Sequence, residues 1–183
     1  LNENMIIRKA CLDDLSSIAN LHAQSWRDNY RDVLSEEYLE KIVFTDRQAV
    51  WTSRLNNPLT NQLVLVAEID DHICGFICAF GDNHPTFGTI IDNLHVKSGN
   101  KGKGTGRQLL AAVVSWAAAH YKNTDLYLEV LESNAKAIGF YEALGAKNIG
   151  SSYWHTPCGN QTKEFIYSWG LPDTLAEKLL LSK

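Results

Sequence analysis

The spacing of apolar residues changes along the chain, and each change marks an element. Met5 to Lys9 is a short apolar run that predicts a strand. Leu15, Ile18 and Ala19 then recur at helical spacing, with Asp13 or Asp14 as the expected cap. Ile18, His22, Trp26 and Tyr30 continue at four-residue steps, which stacks them along one helical face. That face reads either as a core seam between helices or as an aromatic wall for an alkylammonium group. Ser35-Glu36-Glu37 predicts the start of a second helix. Thr45-Asp46-Arg47-Gln48 reads as a capping box for a third, which runs to about Asn56 before Asn57-Pro58 closes it.

Beyond this point the pattern becomes strand-like. Leu63 to Ile69 and Ile73 to Phe80 flank Asp70-Asp71-His72, the length and composition of a hairpin turn, and Thr86 to Val96 follows after Asn83-His84-Pro85. Three successive strands without a helix between them predict an antiparallel meander. A helix from about Thr105 to Tyr121 then leads into Leu126 to Val130, and a helical crossover makes the strands it joins parallel. Ser133 or Asn134 caps a short helix that ends at Gly145, with Ile138, Tyr141 and Leu144 on one face. Asn148 to Ser152 and Thr162 to Trp169 predict a last strand pair, with Trp154 and His155 in the connection. Leu175, Leu179 and Leu180 predict a helical tail within 171–183, expected to dock on the domain or on a second copy. The expected fold class is α/β (α+β), a single domain over 1–183. Its mixed, mostly antiparallel sheet of six to seven strands carries helices and opens a slot beside the parallel pair.

Chemistry concentrates at Asn100 to Leu110. Gly102, Gly104 and Gly106 free the backbone and remove the Cβ atoms that hold a ligand away from the main chain. The helix behind them offers unpaired N–H groups and the positive end of a dipole, which makes the loop an anion site, most simply for phosphate. Gly106 is followed by Arg107-Gln108 rather than the Lys-Ser or Lys-Thr of a P-loop, and the G-x-G-x-G spacing is not the dinucleotide G-x-G-x-x-G.

Composition narrows the partners. At 183 residues, with 45% hydrophobic and 21% charged residues, the chain is long enough for one substantial core. A net charge of −4 argues against nucleic acid and suits a cationic substrate such as an amine, and no apolar run is long enough for a membrane span. Cys11, Cys74, Cys78 and Cys158 form no Cys-x-x-Cys pair, so a reducing, cytoplasmic setting and no metal are expected. No secretory signal is read. Leu-Asn-Glu-Asn precedes the only methionine, so Met5 is expected as the native start and residues 1–4 as a cloning remnant.

Lys101-x-x-Gly104-x-Gly106, between a strand ending Leu94-His95-Val96 and an amphipathic helix, resembles the acyl-CoA pyrophosphate loop of the GCN5-related N-acetyltransferase (GNAT) family. Lys101 stands where that family usually has Arg or Gln. It keeps the cation and loses the planar fork. Asn134, Ala137, Phe140-Tyr141 and Leu144-Gly145 resemble the family's second signature, with Ala146 where Phe is usual. Together the two stretches cover about Asp92 to Gly150, and Leu21 to Tyr30 resembles the first helix of many bacterial members.

The resemblance implies transfer of an acetyl group from acetyl-CoA to a primary amine in a direct ternary complex, with a small-molecule or peptide acceptor. Backbone N–H groups from Lys101, Gly102, Lys103, Gly104, Thr105 and Gly106 would hold the pyrophosphate, helped by Lys101, Lys103 or Arg107. Main-chain groups of Leu94 and Val96 would bond the pantetheine arm, Asn134 would bond the cofactor and Tyr141 would protonate the departing thiolate. Trp26, Tyr30, Trp154 and His155 are candidates for the acceptor side. An amine with a pKa of about 10.4 must lose a proton. Asp92, on a strand face with Ile90, Leu94 and Val96, is the first candidate base and His95 the second. A homodimer is one expected arrangement, and a non-catalytic acyl-CoA sensor with the tail as interface is the alternative function.

Overall fold

The computed structural model describes residues 4–181, the last without its side chain. Residues 1–3 of the expected remnant 1–4 and the tail beyond Leu181 lie outside the described residues. The strands are β1 (Met5–Lys9), β2 (Gln62–Ile69), β3 (His72–His84), β4 (Gly88–Val96), β5 (Leu126–Leu131), β6 (Lys147–His155) and β7 (Gln161–Gly170). They form one seven-stranded sheet in the order β1-β2-β3-β4-β5-β7-β6. The pairs β1–β2, β5–β7 and β6–β7 are antiparallel, and β4–β5 is the parallel pair expected from the helical crossover. The helices are α1 (Leu15–Asn29), α2 (Val43–Asn56), α3 (Thr105–His120), α4 (Ala135–Ala143) and α5 (Pro172–Leu181).

The chain divides into two compact units, and β3, β4 and α3 pass from one to the other. The first runs to Cys78 and takes in Asn93–Leu109; the second is Ala79–Asp92 together with the chain from Leu110 onward. In the first unit β1 and β2 pair from Met5↔Ile69 to Lys9↔Leu65. Asp70 and Asp71, both with positive φ (50° and 61°), make the tight turn into β3. Ile18, Ala19, Trp51, Leu39, Val43 and Phe76 are buried and form the seam of α1 and α2 over the strands.

Two expectations fail here for physical reasons. Asp14 makes no side-chain cap. Its carboxylate accepts a two-point ion pair from Arg8 (2.8 and 2.9 Å), whose guanidinium also reaches Glu68, and it takes the Cys11 N–H. A charged, bidentate partner outweighs a cap bond. The boundary expected at Thr45 is absent, because Ser35 Oγ accepts the Tyr38 N–H and a π-helical turn, Tyr38–Ile42, runs straight into α2. Thr45-Gln48 therefore lies inside a helix, and Asp46 takes the Tyr38 hydroxyl instead of capping.

In the second unit Ile90, Tyr127 and Ile166 form a cluster with Phe80 and Phe87 against it. The tail helix α5 packs on β7, with Leu175 fully buried. Gly88 has a φ of +86°, and an added Cβ would lie 2.3 Å from the Asp125 carbonyl oxygen. β6 is longer than expected and absorbs Trp154 and His155; the connection is Thr156–Asn160, closed by the Thr156 hydroxyl on Asn160 and the Thr156 N–H on the Asn160 carbonyl. Among the described residues no helix is long and apolar enough to cross a membrane, and no group of His, Cys, Asp and Glu is placed to hold a metal.

Candidate active site

The glycine loop belongs to the first unit. Gly102 and Gly104 adopt φ of +76° and +86°, a region closed to most side chains, and an added Cβ at either would meet nothing within 4 Å. These glycines serve conformation and access, not packing. Lys101 and Lys103 are exposed on the loop, and Arg107 lies in the first turn of α3. Gln108 N–H bonds back to the Gly104 carbonyl at 3.0 Å, and the N–H groups of the first turn of α3 are those a helix start presents outward. The Lys101 N–H, expected to face the pyrophosphate, is instead taken by the Ser98 carbonyl at 3.3 Å, leaving Lys101 its ammonium. Gly75 of β3 sits where a Cβ would press on the His95 carbonyl, Leu109 and Thr105 at 3.1–3.3 Å, so a larger residue here would push these neighbours apart by a few tenths of an ångström.

Leu94, His95 and Val96 end β4, partly buried. The His95 Nδ1 lies 2.7 Å from Ser25 Oγ, and its ring packs on His22 at 4.7 Å and on Phe76 at 5.3 Å. Burial first, then the charges of Lys101 and Arg47, push its pKa down to about 3. A ring that protonates only there is a weak base at neutral pH, which counts against its expected role. His22 is 1% exposed, and burial drives its pKa well below the ordinary value. Trp26 is buried against His22, Tyr30 and Tyr38, with the Arg47 guanidinium 4.2 Å over its ring. Trp26 is thus core, and Tyr30, partly buried, is its neighbour at 5.7 Å.

The second unit holds the carboxylates. The β4–β5 ladder pairs only Thr89↔Leu126 and Ile90↔Tyr127. Two residues further along each strand stand Asp92 and Glu129. On β7, Glu164 pairs with Leu131, diagonal to Glu129, which pairs with Ile166. Alternation puts the three carboxylates on one sheet face, just past the apolar cluster of Ile90, Tyr127 and Ile166. Desolvation first, then the charges of Glu129 and Asp92, raise Glu164 to about 7. Glu129 is raised by the same two causes, desolvation and Asp92, but it is open to solvent and the weaker case. Asp92 is itself exposed, not enclosed by apolar neighbours as its strand position implied.

Asn134 caps α4, its side-chain oxygen accepting the Ala137 N–H at 3.2 Å, which leaves the NH2 end for a ligand. Tyr141 lies in the last turn of α4, edge-to-face with Trp169 at 5.9 Å. Trp154, half-buried on β6, shares the face of Ser152 and Glu164, whereas His155 points to the opposite face and takes the Gln161 amide. Glu129 and Glu164 escaped the reading of the sequence. Glu129 did carry a signal: it is the lone charge in the apolar strand Leu126-Tyr-Leu-Glu-Val-Leu131.

A parallel pair in a mostly antiparallel sheet, with a glycine loop opening the helix that joins its strands, defines an acyl-CoA-type transferase fold. The chain belongs to the acetyltransferase (GNAT) family, whose sequence profile matches residues 16–146. It is 25% identical over 180 residues to the uncharacterized N-acetyltransferase YuaI of Bacillus subtilis (strain 168), covering 97% of this chain and 98% of that one. Among solved structures it resembles a GCN5-related N-acetyltransferase of Rhodopseudomonas palustris (TM-score 0.74, 21% identity, 93% of this chain and 98% of that one). It also resembles the PaiA N-acetyltransferase of Thermoplasma acidophilum, solved with coenzyme A (TM-score 0.68, 22% identity, 90% and 98%). At these identities the structures speak for the fold alone.

Proposed function

We propose that this acetyltransferase moves the acetyl group of acetyl-CoA to a primary amine by direct attack, without an acyl-enzyme. The observation that carries the reading is the loop conformation: two left-handed glycines with open space at the start of α3, built to bring backbone N–H groups against a pyrophosphate. The coenzyme A bound to PaiA lends support by likeness of fold. Lys101 to Gly106 would hold the pyrophosphate with Lys103 and Arg107, Leu94 and Val96 the pantetheine arm, and Asn134 its amide. The donor supplies an activated thioester.

The amine nitrogen forms the new C–N bond as the C–S bond breaks. The ammonium proton must first leave, and the Asp92, Glu129 and Glu164 group is where this chain can accept it. A carboxyl with a pKa of about 7 is half-ionised near neutrality, the condition in which a base both exists and binds its proton well. Tyr141 delivers a proton to the leaving thiolate and is restored by the second proton, which the nitrogen sheds as it becomes the amide. Trp154, on the carboxylate face, offers an aromatic ring to a cationic acceptor. The carboxylates and the net charge of −4 favour a cationic small molecule or peptide amine over nucleic acid.

The test is calorimetric titration of acetyl-CoA, followed by thiol release with a panel of amines, for wild type and Tyr141→Phe. Binding with release that drops at least about tenfold in the variant supports the reading. Binding without release from any amine favours an acyl-CoA sensor, and no binding removes the donor assignment.

A further inference from the structure

The aromatic face of α1 holds more than a packed seam. Trp51 Nε1 donates to His22 Nδ1 at 3.0 Å, and an indole nitrogen can only donate, so His22 Nδ1 carries a lone pair. In a neutral ring the proton then sits on Nε2, and that atom is buried with no hydrogen-bond partner among the described residues. The His22 ring is thus fixed in one tautomer and one orientation by Trp51, with Phe76 5.6 Å away and Trp26 edge-on at 5.0 Å. Against it lies the His95 ring, 4.7 Å away and tilted by 34°. On its other side His95 Nδ1 is taken by Ser25 Oγ at 2.7 Å. One ring atom is left: with Nδ1 held by Ser25, His95 Nε2 makes no hydrogen bond among the described residues, and the residue is only partly buried.

Position gives that atom a use. His95 lies between Leu94 and Val96 on β4. Its carbonyl sits at the Gly75 gap beside Thr105 and Leu109, and its ring feels the charge of Lys101. We propose that His95 is a fixed hydrogen-bonding group of the acetyl-transfer site, not its base, and that Ser25, His22 and Trp51 are the residues that position it. This rests on the acetyl-transfer reading above. The charged groups acting on the histidine pair are Arg47 and Arg54 of α2 and Lys101 of the loop, all cations, which agrees with rings that stay neutral through the working pH range. A neutral imidazole with one nitrogen clamped by Ser25 presents the other in a constant orientation. That suits it to steer an amine or a carbonyl oxygen and leaves proton removal to the carboxylates.

The experiment compares wild type with Ser25→Ala, His95→Phe and His95→Gln by acetyl-CoA titration, by kcat/KM for the best amine across pH 5 to 9, and by nitrogen NMR of the histidine rings. The expected result is a roughly hundredfold fall in kcat/KM for His95→Phe with donor affinity within about twofold. His95→Gln, which keeps a hydrogen-bonding end, recovers to within about tenfold of wild type with the acidic limb of its pH profile in place. Ser25→Ala falls a few-fold. The spectra show His22 protonated on Nε2 and neither ring titrating between pH 5 and 8. The proposal is overturned if His95→Phe matches wild type, if His95→Gln loses the acidic limb together with activity, or if either ring titrates near pH 6.5. A wild type that binds donor but releases no thiol with any amine overturns the acetyl-transfer reading, and this proposal with it; release at the same rate by wild type and His95→Phe overturns this proposal alone.

Discussion

Around α1 and α2, two histidines lie among Arg47, Arg54 and Lys101, and burial with those charges keeps protons off them. Around β5 and β7, three carboxylates lie beside an apolar cluster, and burial with mutual repulsion keeps a proton on Glu164 up to about pH 7. The same force, desolvation of the charged form, acts in both units. It makes one a place of neutral donors and acceptors and the other a place where a proton is exchanged near neutrality.

The largest expected effect concerns the backbone at the start of β4, in the unit that holds the carboxylates. Gly88→Ala adds a Cβ 2.3 Å from the Asp125 oxygen at a φ of +86°, so stability should drop by more than about 3 kcal/mol, read from the denaturant midpoint. Gly102→Ala, with open space, should cost only about 1–2 kcal/mol and show chiefly in donor affinity. Next comes the histidine cluster. Trp51→Phe strands a buried acceptor on His22 and should cost about 1–3 kcal/mol, whereas Tyr127→Phe loses only a bond from the exposed Asn83 and should cost about 0.5–1.5 kcal/mol.

Stability against pH separates the units by sign. Native His22 and His95 bind fewer protons than their unfolded forms below about pH 6.5, so their contribution falls as pH drops from there toward 3. Native Glu164 binds more protons than its unfolded form between 4.5 and about 7, so its contribution falls as pH rises through that window. Glu164→Gln should therefore gain stability relative to wild type from pH 4.5 to 7, and His95→Gln should flatten the acid side; a scan of melting temperature with pH reads both. The smallest effect is Lys101→Ala, with a few-fold weaker donor affinity that shrinks with added salt, since the charge is exposed and the backbone does most of the holding.

Legibility in the sequence divides along the same line. The loop and the α4 signature are local patterns, so Gly102, Gly104, Asn134 and the parallel crossover could be read from spacing and resemblance. The hairpin at Asp70-Asp71 was equally plain. What escaped depends on neighbours distant in sequence. Glu129 and Glu164 meet only through the β5–β7 register, Asp14 leaves its cap for Arg8, and His95 becomes a poor base because residues from α1, α2 and the loop surround it. The π-helical turn at Tyr38–Ile42 joins two stretches that local caps had set apart.

The most direct test of this division is the pH dependence of kcat/KM for acetyl transfer in wild type and Glu164→Gln. The account predicts an acidic limb near pH 7 in wild type, and in the variant a loss of that limb with a fall of about a hundredfold at neutral pH. A variant that keeps both its rate and its limb would contradict the assignment of proton removal to the carboxylate unit.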